Sequence, residues 1–329
     1  MVIDQRNAGN TVNNTTSSLY TLDRWQIYGT SASKFRIAQG GAPTPLAGFS
    51  QGVQWYSLAA TSVGSSDLYI FRTKIEGFNT ADFSWGTASA KAVTLSFWVY
   101  SSLTGTFGGA FGNNNGDRSY PFTYTINSAN TWEQKTITVA GDTSGTWDTT
   151  TGIGLAIVFS LGAGSTFSGT AGAWASANYY SASGTTNFVS TNAATLYITG
   201  VQLEKGATAT AFDYRPYGTE LALCQRYFVR MGDGNSFPVA SAQCYSTTGA
   251  VCMVVAPQPM RATPTLSHTN MAMWTAGTSA ASVTSLTLNN ITVNAIRLDA
   301  SVASGLVAGD ASFLNSGSSS GNIQLSAEL

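Results

Sequence analysis

The sequence predicts an all-β protein of two domains, and three observations carry that prediction. Short runs of apolar–polar alternation recur along the chain, Ser33–Gln39 and Lys91–Ser101 among the clearest. Clusters of Gly, Ser, Thr and Asn, the residues that turn a chain, separate them. Helical signals are confined to one short window that opens at Thr219. At 329 residues the chain can bury two separate cores.

The first domain is expected over residues 1–217. In Tyr20–Tyr28 the side chains of Trp25 and Ile27 point inward, and Phe35 and Ile37 do so in Ser33–Gln39. Val53–Leu58 and Leu68–Ile75 are further strands. In the second of these, Tyr69, Phe71, Thr73 and Ile75 form the core face, which leaves Arg72 and Lys74 together on the other. Lys91–Ser101 repeats the arrangement: Val93, Leu95, Phe97 and Val99 inward, Trp98 and Tyr100 outward. If the two strands share a sheet, Arg72, Lys74, Trp98 and Tyr100 line one patch. Such aromatics either stack on sugar rings or are covered by a loop or a neighbouring subunit.

Thr106–Asp117, rich in Gly and Asn, reads as a flexible loop. Ser119–Ile126, Trp132–Val139 and Ile153–Leu161 are strands, the last apolar on both faces and therefore central. Gly162–Ser190 is a long irregular segment carrying Trp174, Tyr179 and Tyr180, which serve either as ligand contacts or in packing between subunits. Thr195–Lys205 closes the domain, with a bulge at Gly200 because the alternation slips by one residue there. An extended arm follows, with Phe212, Tyr214 and Tyr217 as its apolar anchors.

Residues 218–228 form a connector, with Thr219 as helix N-cap and Glu220 in the first turn. Residues 229–329 are expected to fold as a second, smaller antiparallel β-sandwich, with a hairpin over Val239–Ala256. The small residues of Ala276–Ser285 and Ser301–Ser320 either pack against sister subunits or form loops.

Composition narrows the class of function. Charged residues make up 9 % of the chain and the net charge is −1, without a basic tract, which argues against nucleic acid as a partner. A surface this poor in charge has little electrostatic protection against association, so a fixed oligomer is expected. The most apolar window, Ile153–Leu161, is too short to span a bilayer, so no membrane insertion is expected, and no secretory signal opens the chain. Cys224, Cys244 and Cys252 cannot all pair within one chain and read as buried thiols of a protein folded in a reducing cytosol.

The run ITGVQLEKG, then ATAFDYRPYG, then ELALCQRYF resembles the end of a β-sandwich module found in tail-fibre and receptor-binding proteins of tailed bacteriophages. MVIDQRNAG with YTLDRW, WGTASAKAVTLSFWV, and NTWEQKTITVAGDTSGTW resemble the same family, and the matches span most of residues 1–228 in order. The last third resembles it only through PMRATPTL and the AEL ending. The resemblance implies a jelly-roll module similar to carbohydrate-binding modules. It further implies a non-enzymatic protein of the virion surface, homotrimeric and folded in the host cytoplasm, without saying which ligand it takes. The expected function is adhesion to a host cell-surface glycan beside other virion proteins. The alternative is a purely structural virion protein that contacts only other virion proteins, and a polysaccharide depolymerase comes third.

Little in the chain points to catalysis. His268 stands alone in a Ser/Thr-rich turn, so neither a Ser-His-Asp triad nor a His-based metal centre has its residues. Two carboxylates would suffice for a glycosidase, but Asp67, Glu76, Asp82, Asp117, Glu133, Asp142 and Asp148 cannot be paired by spacing. Turn carboxylates are compatible with a structural Ca²⁺, although no dense Asp/Asn loop of that pattern occurs; no other cofactor is expected. The candidate ligand-binding residues are therefore Arg72, Lys74, Trp98, Tyr100, Trp174, Tyr179 and Tyr180.

Overall fold

Strands with one apolar face need a second surface to bury it, and the computed structural model provides one in each of two units. It describes residues 2–232, 234, 236–275 and 280–329. The units are Met1–Arg215 with Leu329, and Pro216–Glu328.

In chain order the first unit contains β1 (Val12–Asn13), β2 (Leu19–Leu22), β3 (Trp25–Gly29), β4 (Phe35–Gly40), β5 (Gly52–Ser57), β6 (Leu68–Glu76) and β7 (Val93–Ser101). Then come β8 (Gly105–Gly112), β9 (Ser119–Ile126), β10 (Glu133–Val139), β11 (Ile153–Ala163), β12 (Ser168–Gly169), β13 (Ser181–Ala182) and β14 (Thr195–Lys205). They build two six-stranded antiparallel sheets, β1-β4-β5-β14-β7-β10 and β2-β3-β6-β11-β8-β9. This is the all-β sandwich the alternation predicts, and the jelly roll the resemblance implies.

Its core is aromatic. Trp25 stacks on Phe71 with ring centroids 4.4 Å apart, Trp55 meets Phe71 edge-on at 4.6 Å, and Phe97 meets Phe159 edge-on at 5.1 Å. Each such side chain contributes about 1.5–3 kcal/mol of burial free energy.

The closing strand β14 pairs with both β5 and β7, and its register to β7 shifts between Thr199 and Gln202. Gly200 lies at this expected bulge with φ +59°, and a Cβ there would come within 2.8 Å of the Phe49 ring. The arm beyond β14 is held by its side chains: Phe212 and Tyr214 lie 5.1 and 5.5 Å from the ring of Phe49.

One expected loop is a strand. Gly105–Gly112 pairs along its length with β9 and partly with β11. A Cβ on Gly109 would run into the Phe122 ring and the Val158 carbonyl, so glycine marks close approach of neighbouring strands here, not flexibility. The remaining loop is stapled by Asn113, whose Oδ1 accepts from the Asp117 and Arg118 amides at 3.3 and 3.2 Å.

The second unit opens with the helix α1 (Tyr217–Gln225), followed by β15 (Phe228–Gly232), β16 (Pro238–Cys244), β17 (Gly249–Val255), β18 (Thr265–Thr269) and β19 (Met271–Thr275). It continues with β20 (Ala281–Ile291), β21 (Ala295–Val302), β22 (Ala311–Ser316) and β23 (Asn322–Ser326). The helix starts ahead of Thr219, because the Pro216 carbonyl already accepts from the Thr219 and Glu220 amides. Tyr217, expected as an anchor, stands exposed on the helix.

The antiparallel strands expected of this unit are present, but most of them close on themselves. β16-β17-β21-β20-β19-β22 form a barrel, flanked by the sheet β15-β23-β18. Register shifts between Val283 and Ser285, between Asn289 and Ile291, and between Pro238 and Ala240 coil the strands enough for closure. Ala240, Ala250, Cys252 and Ala300 keep the buried side small. Of the small-residue stretch 276–285, residues 276–279 lie outside the described residues. Cys224, Cys244 and Cys252 are buried, and burial, helped by Asp299 and Cys244, pushes the Cys252 thiol up to about 12.

Candidate functional site

A groove of about 170 Å³ lies on the outer face of the sheet that contains β6 and β11 and gathers several of the expected side chains. Its floor follows from strand parity. Leu155, Ile157 and Phe159 of β11 enter the core, so Ala156 and Val158 face outward. Ala156 sits between Lys74 and Gly112, and Val158 between Arg72 and Ala110. Alanine and glycine leave a trough where larger side chains would have filled it.

One wall carries Arg72 and Lys74. The Arg72 guanidinium is held by two neutral acceptors: Nε donates to Gln26 Oε1 at 2.6 Å and Nη2 to Ser18 Oγ at 3.2 Å. Gln26 is itself buried, on the neighbouring strand β3. Lys74 Nζ donates to the main-chain oxygen of Leu329, a residue of this same unit, at 2.7 Å.

The facing wall carries Asn178, Tyr179 and Tyr180, with Asn113 and Asn114 at its end. The segment after β11 reaches this position because β12 and β13 pair in parallel and fold it back. Ser119 Oγ accepts from the Tyr179 amide at 3.1 Å and donates to the Ala177 carbonyl at 2.6 Å. The Tyr179 ring lies against Gly169, where a Cβ would collide with it. Tyr180 stands edge-on to Phe167 at 5.9 Å, packs over Leu68, Ile70 and Val158, and its hydroxyl accepts from Asn178 Nδ2 at 2.9 Å.

Four of the expected residues therefore meet in one groove: Arg72, Lys74, Tyr179 and Tyr180. Trp98 and Tyr100 do not join them. Their strand β7 belongs to the opposite sheet, so the expected common patch does not form. Tyr100 is only 5 % exposed, wedged between Tyr197 and Trp132 with both ring centroids at 5.6 Å. Trp98 is half-buried and flanks Gly200 together with Phe49. A loop and a closing strand thus cover these aromatics. A second hollow of about 200 Å³ lies on that side, between residues 40–52 and Trp132, lined by Pro45, Leu46 and Phe49.

Trp174 is also outside the groove. It packs 5.2 Å from Trp85, 5.5 Å from Trp147 and 5.2 Å from Tyr120, and its Nε1 donates to the Ala140 carbonyl at 2.8 Å. Arg118, paired through Nε and Nη2 with the buried Asp142 at 2.7 and 2.6 Å, covers this knot and reaches Ser176 Oγ through Nη1. Trp174 positions the loop that carries the tyrosines. The sequence reading missed Asn113, Asn114 and Asn178; the signal for the first two was the NNNGD run, read only as part of a flexible loop. Among the described residues, no three or more His, Cys, Asp or Glu side chains gather to hold a metal ion.

No protein-family model matches the chain, and no curated protein does. Among solved structures it is similar to the enzymatically active domain of tailspike protein 4 of bacteriophage CBA120, at 12 % identity over 55 % of this chain and 19 % of that one, with a TM-score of 0.34. It is similar to the family 11 carbohydrate-binding module of a cellulosomal cellulase of Clostridium thermocellum, at 12 % identity over 63 % and 100 % of the two chains and a TM-score of 0.28. A family 61 carbohydrate-binding module in complex with β-1,4-galactotriose is matched at 9 % identity, over 55 % and 88 %, with a TM-score of 0.28. These likenesses are too distant to assign a function.

Proposed function

We propose that the chain binds a glycan non-covalently through the groove between Arg72 and Tyr179–Tyr180, as an adhesin of the virion surface. The observation that carries this reading is the groove itself. Tyrosine rings offer an apolar plane with a polar edge, which suits the mixed surface of a sugar ring. Asparagine amides and a guanidinium supply donors and acceptors for hydroxyl groups. The floor of Ala156 and Gly112 leaves room for the chain of sugars.

The reading is non-catalytic. Cleavage of a glycosidic bond needs two carboxyl groups flanking it, and no carboxylate is among the residues that line the groove. Purified polysaccharide incubated with the protein is expected to keep its elution volume on size exclusion.

The placement on a phage tail fibre or tip, with folding in the host cytoplasm, a host surface glycan as receptor and other virion proteins as neighbours, follows the sequence resemblance. The homotrimer belongs to the same proposal. It is supported by the low charge and by an apolar strip outside the barrel, where Trp274 pairs with Phe313 and Met253 lies one strand further on across Ser241, all three exposed. Sedimentation that shows a stable monomer at micromolar concentration would remove the oligomer.

A glycan array probed with the full chain tests the central claim. Wild type is expected to bind at least one bacterial surface glycan, and Tyr179→Ala to lose most of that signal. Undiminished binding by the variant would place the site elsewhere.

A further inference from the structure

We infer that the groove selects an acidic sugar chain over a neutral one, with Arg72 as the residue that reads the acid. The inference rests on the groove being a glycan site and goes one step further, to the class of glycan.

The reason is the way this chain treats its cations. Lys and Arg number 15 and Asp and Glu 16, so carboxylate partners are not scarce. Several cations are in contact with a carboxylate, Arg118 with Asp142, Lys135 with Glu133, Lys205 with Asp82 and Arg297 with Asp299, while Arg261 donates to the main-chain oxygens of Ala327 and Glu328. Arg72 differs from the four paired cations and lies in the wall of the groove. Both of its hydrogen bonds go to neutral oxygens, those of Gln26 and Ser18, and no carboxylate of the described residues pairs with it.

Those two bonds fix the orientation of the guanidinium without neutralising it. They use two of its five N–H donors and leave the rest for a ligand. A guanidinium is the side chain whose fork matches a carboxylate or sulfate, and one already oriented loses less entropy on binding. Removing water from a half-enclosed groove strengthens the attraction further. No Asp or Glu is among the residues that line the groove, and Asn113, Asn114, Asn178 and the tyrosines are neutral. A neutral sugar would leave the positive charge desolvated and uncompensated, which is unfavourable.

The test uses the full chain on an array of bacterial surface polysaccharides. Uronic-acid-containing, sulfated and purely neutral glycans are spotted together, and each uronic-acid glycan is repeated after reduction of its carboxyl groups to alcohols. Binding to an acidic glycan is expected to fall about tenfold or more on carboxyl reduction, and by a similar factor for Arg72→Gln. Arg72→Lys, which keeps the charge and loses the fork, is expected to fall between the two. Binding should also weaken as salt is raised. Near-ultraviolet circular dichroism confirms that each variant folds, Arg72 being on the outer side of its strand.

Equal binding to native and carboxyl-reduced glycans, lost in Tyr179→Ala, would overturn the acidic preference and leave the glycan site standing. Acidic glycans bound unchanged by Arg72→Gln would overturn the role of Arg72. Equally tight binding to a short DNA duplex would reduce the effect to general polyanion attraction and overturn the inference too. Binding to no glycan would defeat the glycan reading as well.

Discussion

The two outer faces of the jelly roll are built alike and end differently. On the β7–β14 face the outward residues are large: Tyr100, Trp98 and Tyr197. They are covered, by Trp132, by Phe49 and by the arm after β14, whose course is fixed by bonds such as Asp213 N to Gln202 Oε1 at 2.7 Å. On the β6–β11 face Tyr180 covers Val158, but the outward residues beside Lys74 are Ala156 and Gly112, and there the face stays open. Large aromatics outside a core are themselves apolar surface that draws in a cover. Small residues attract none, and a groove survives where their neighbours stand tall.

Substitutions can break this contrast at several levels. Phe159→Ala removes a ring that touches Trp25, Phe97 and Phe122 and sits behind both faces. It is expected to cost about 3–5 kcal/mol by denaturant unfolding and to damage both faces together. Tyr100→Ala should cost about 3 kcal/mol, since it empties a filled site on the covered face. It should leave glycan binding per folded molecule unchanged. If binding falls as well, the covered face takes part in recognition and the contrast fails.

Two smaller effects sharpen it. Glu133 Oε1 accepts from the Asn127 and Ser128 amides, both at 2.8 Å, and Oε2 accepts from Lys135. Burial opposes ionisation of Glu133, but these bonds outweigh it and hold its carboxyl at about 2, below the ordinary 4.5. The stabilisation is complete above the ordinary value and is lost as pH falls from about 4.5 through about 2. Glu133→Gln should therefore lower stability by about 1 kcal/mol at pH 7 and progressively less as the pH approaches 2, as read by urea unfolding at each pH. Ala156→Leu, which fills the open floor, should change stability by no more than about 0.5 kcal/mol. It should nevertheless abolish glycan capture. A bound glycan on that variant would show that the trough is not the site.

Much of the sandwich was legible beforehand. The parity of Leu68–Ile75 put Tyr69 and Phe71 in the core and Arg72 with Lys74 outside, as found. The slip at Gly200 located a real bulge. What misled was inference from residue type without a partner. Glycines at 105–112 looked like a loop because sequence does not show Phe122 and Val158 crowding Gly109. Trp98 and Tyr100 looked like a binding surface because their covers come from far along the chain. Trp174 looked available because its partners, Trp85 and Trp147, precede it by a whole sheet crossing.

The sequence by itself settled the local terms: which segments extend, which of their faces is apolar, and where the ladder slips. Those depend on residues one or two apart, and the period of a strand writes them directly into the chain. Only the tertiary structure decided which sheet each strand joined, that β16 to β22 would close into a barrel, and which outward face would be roofed. Those outcomes rest on contacts across long separations, such as the bond from Thr199 Oγ1 to the Gln51 carbonyl, 148 residues away. A period of two holds no record of them.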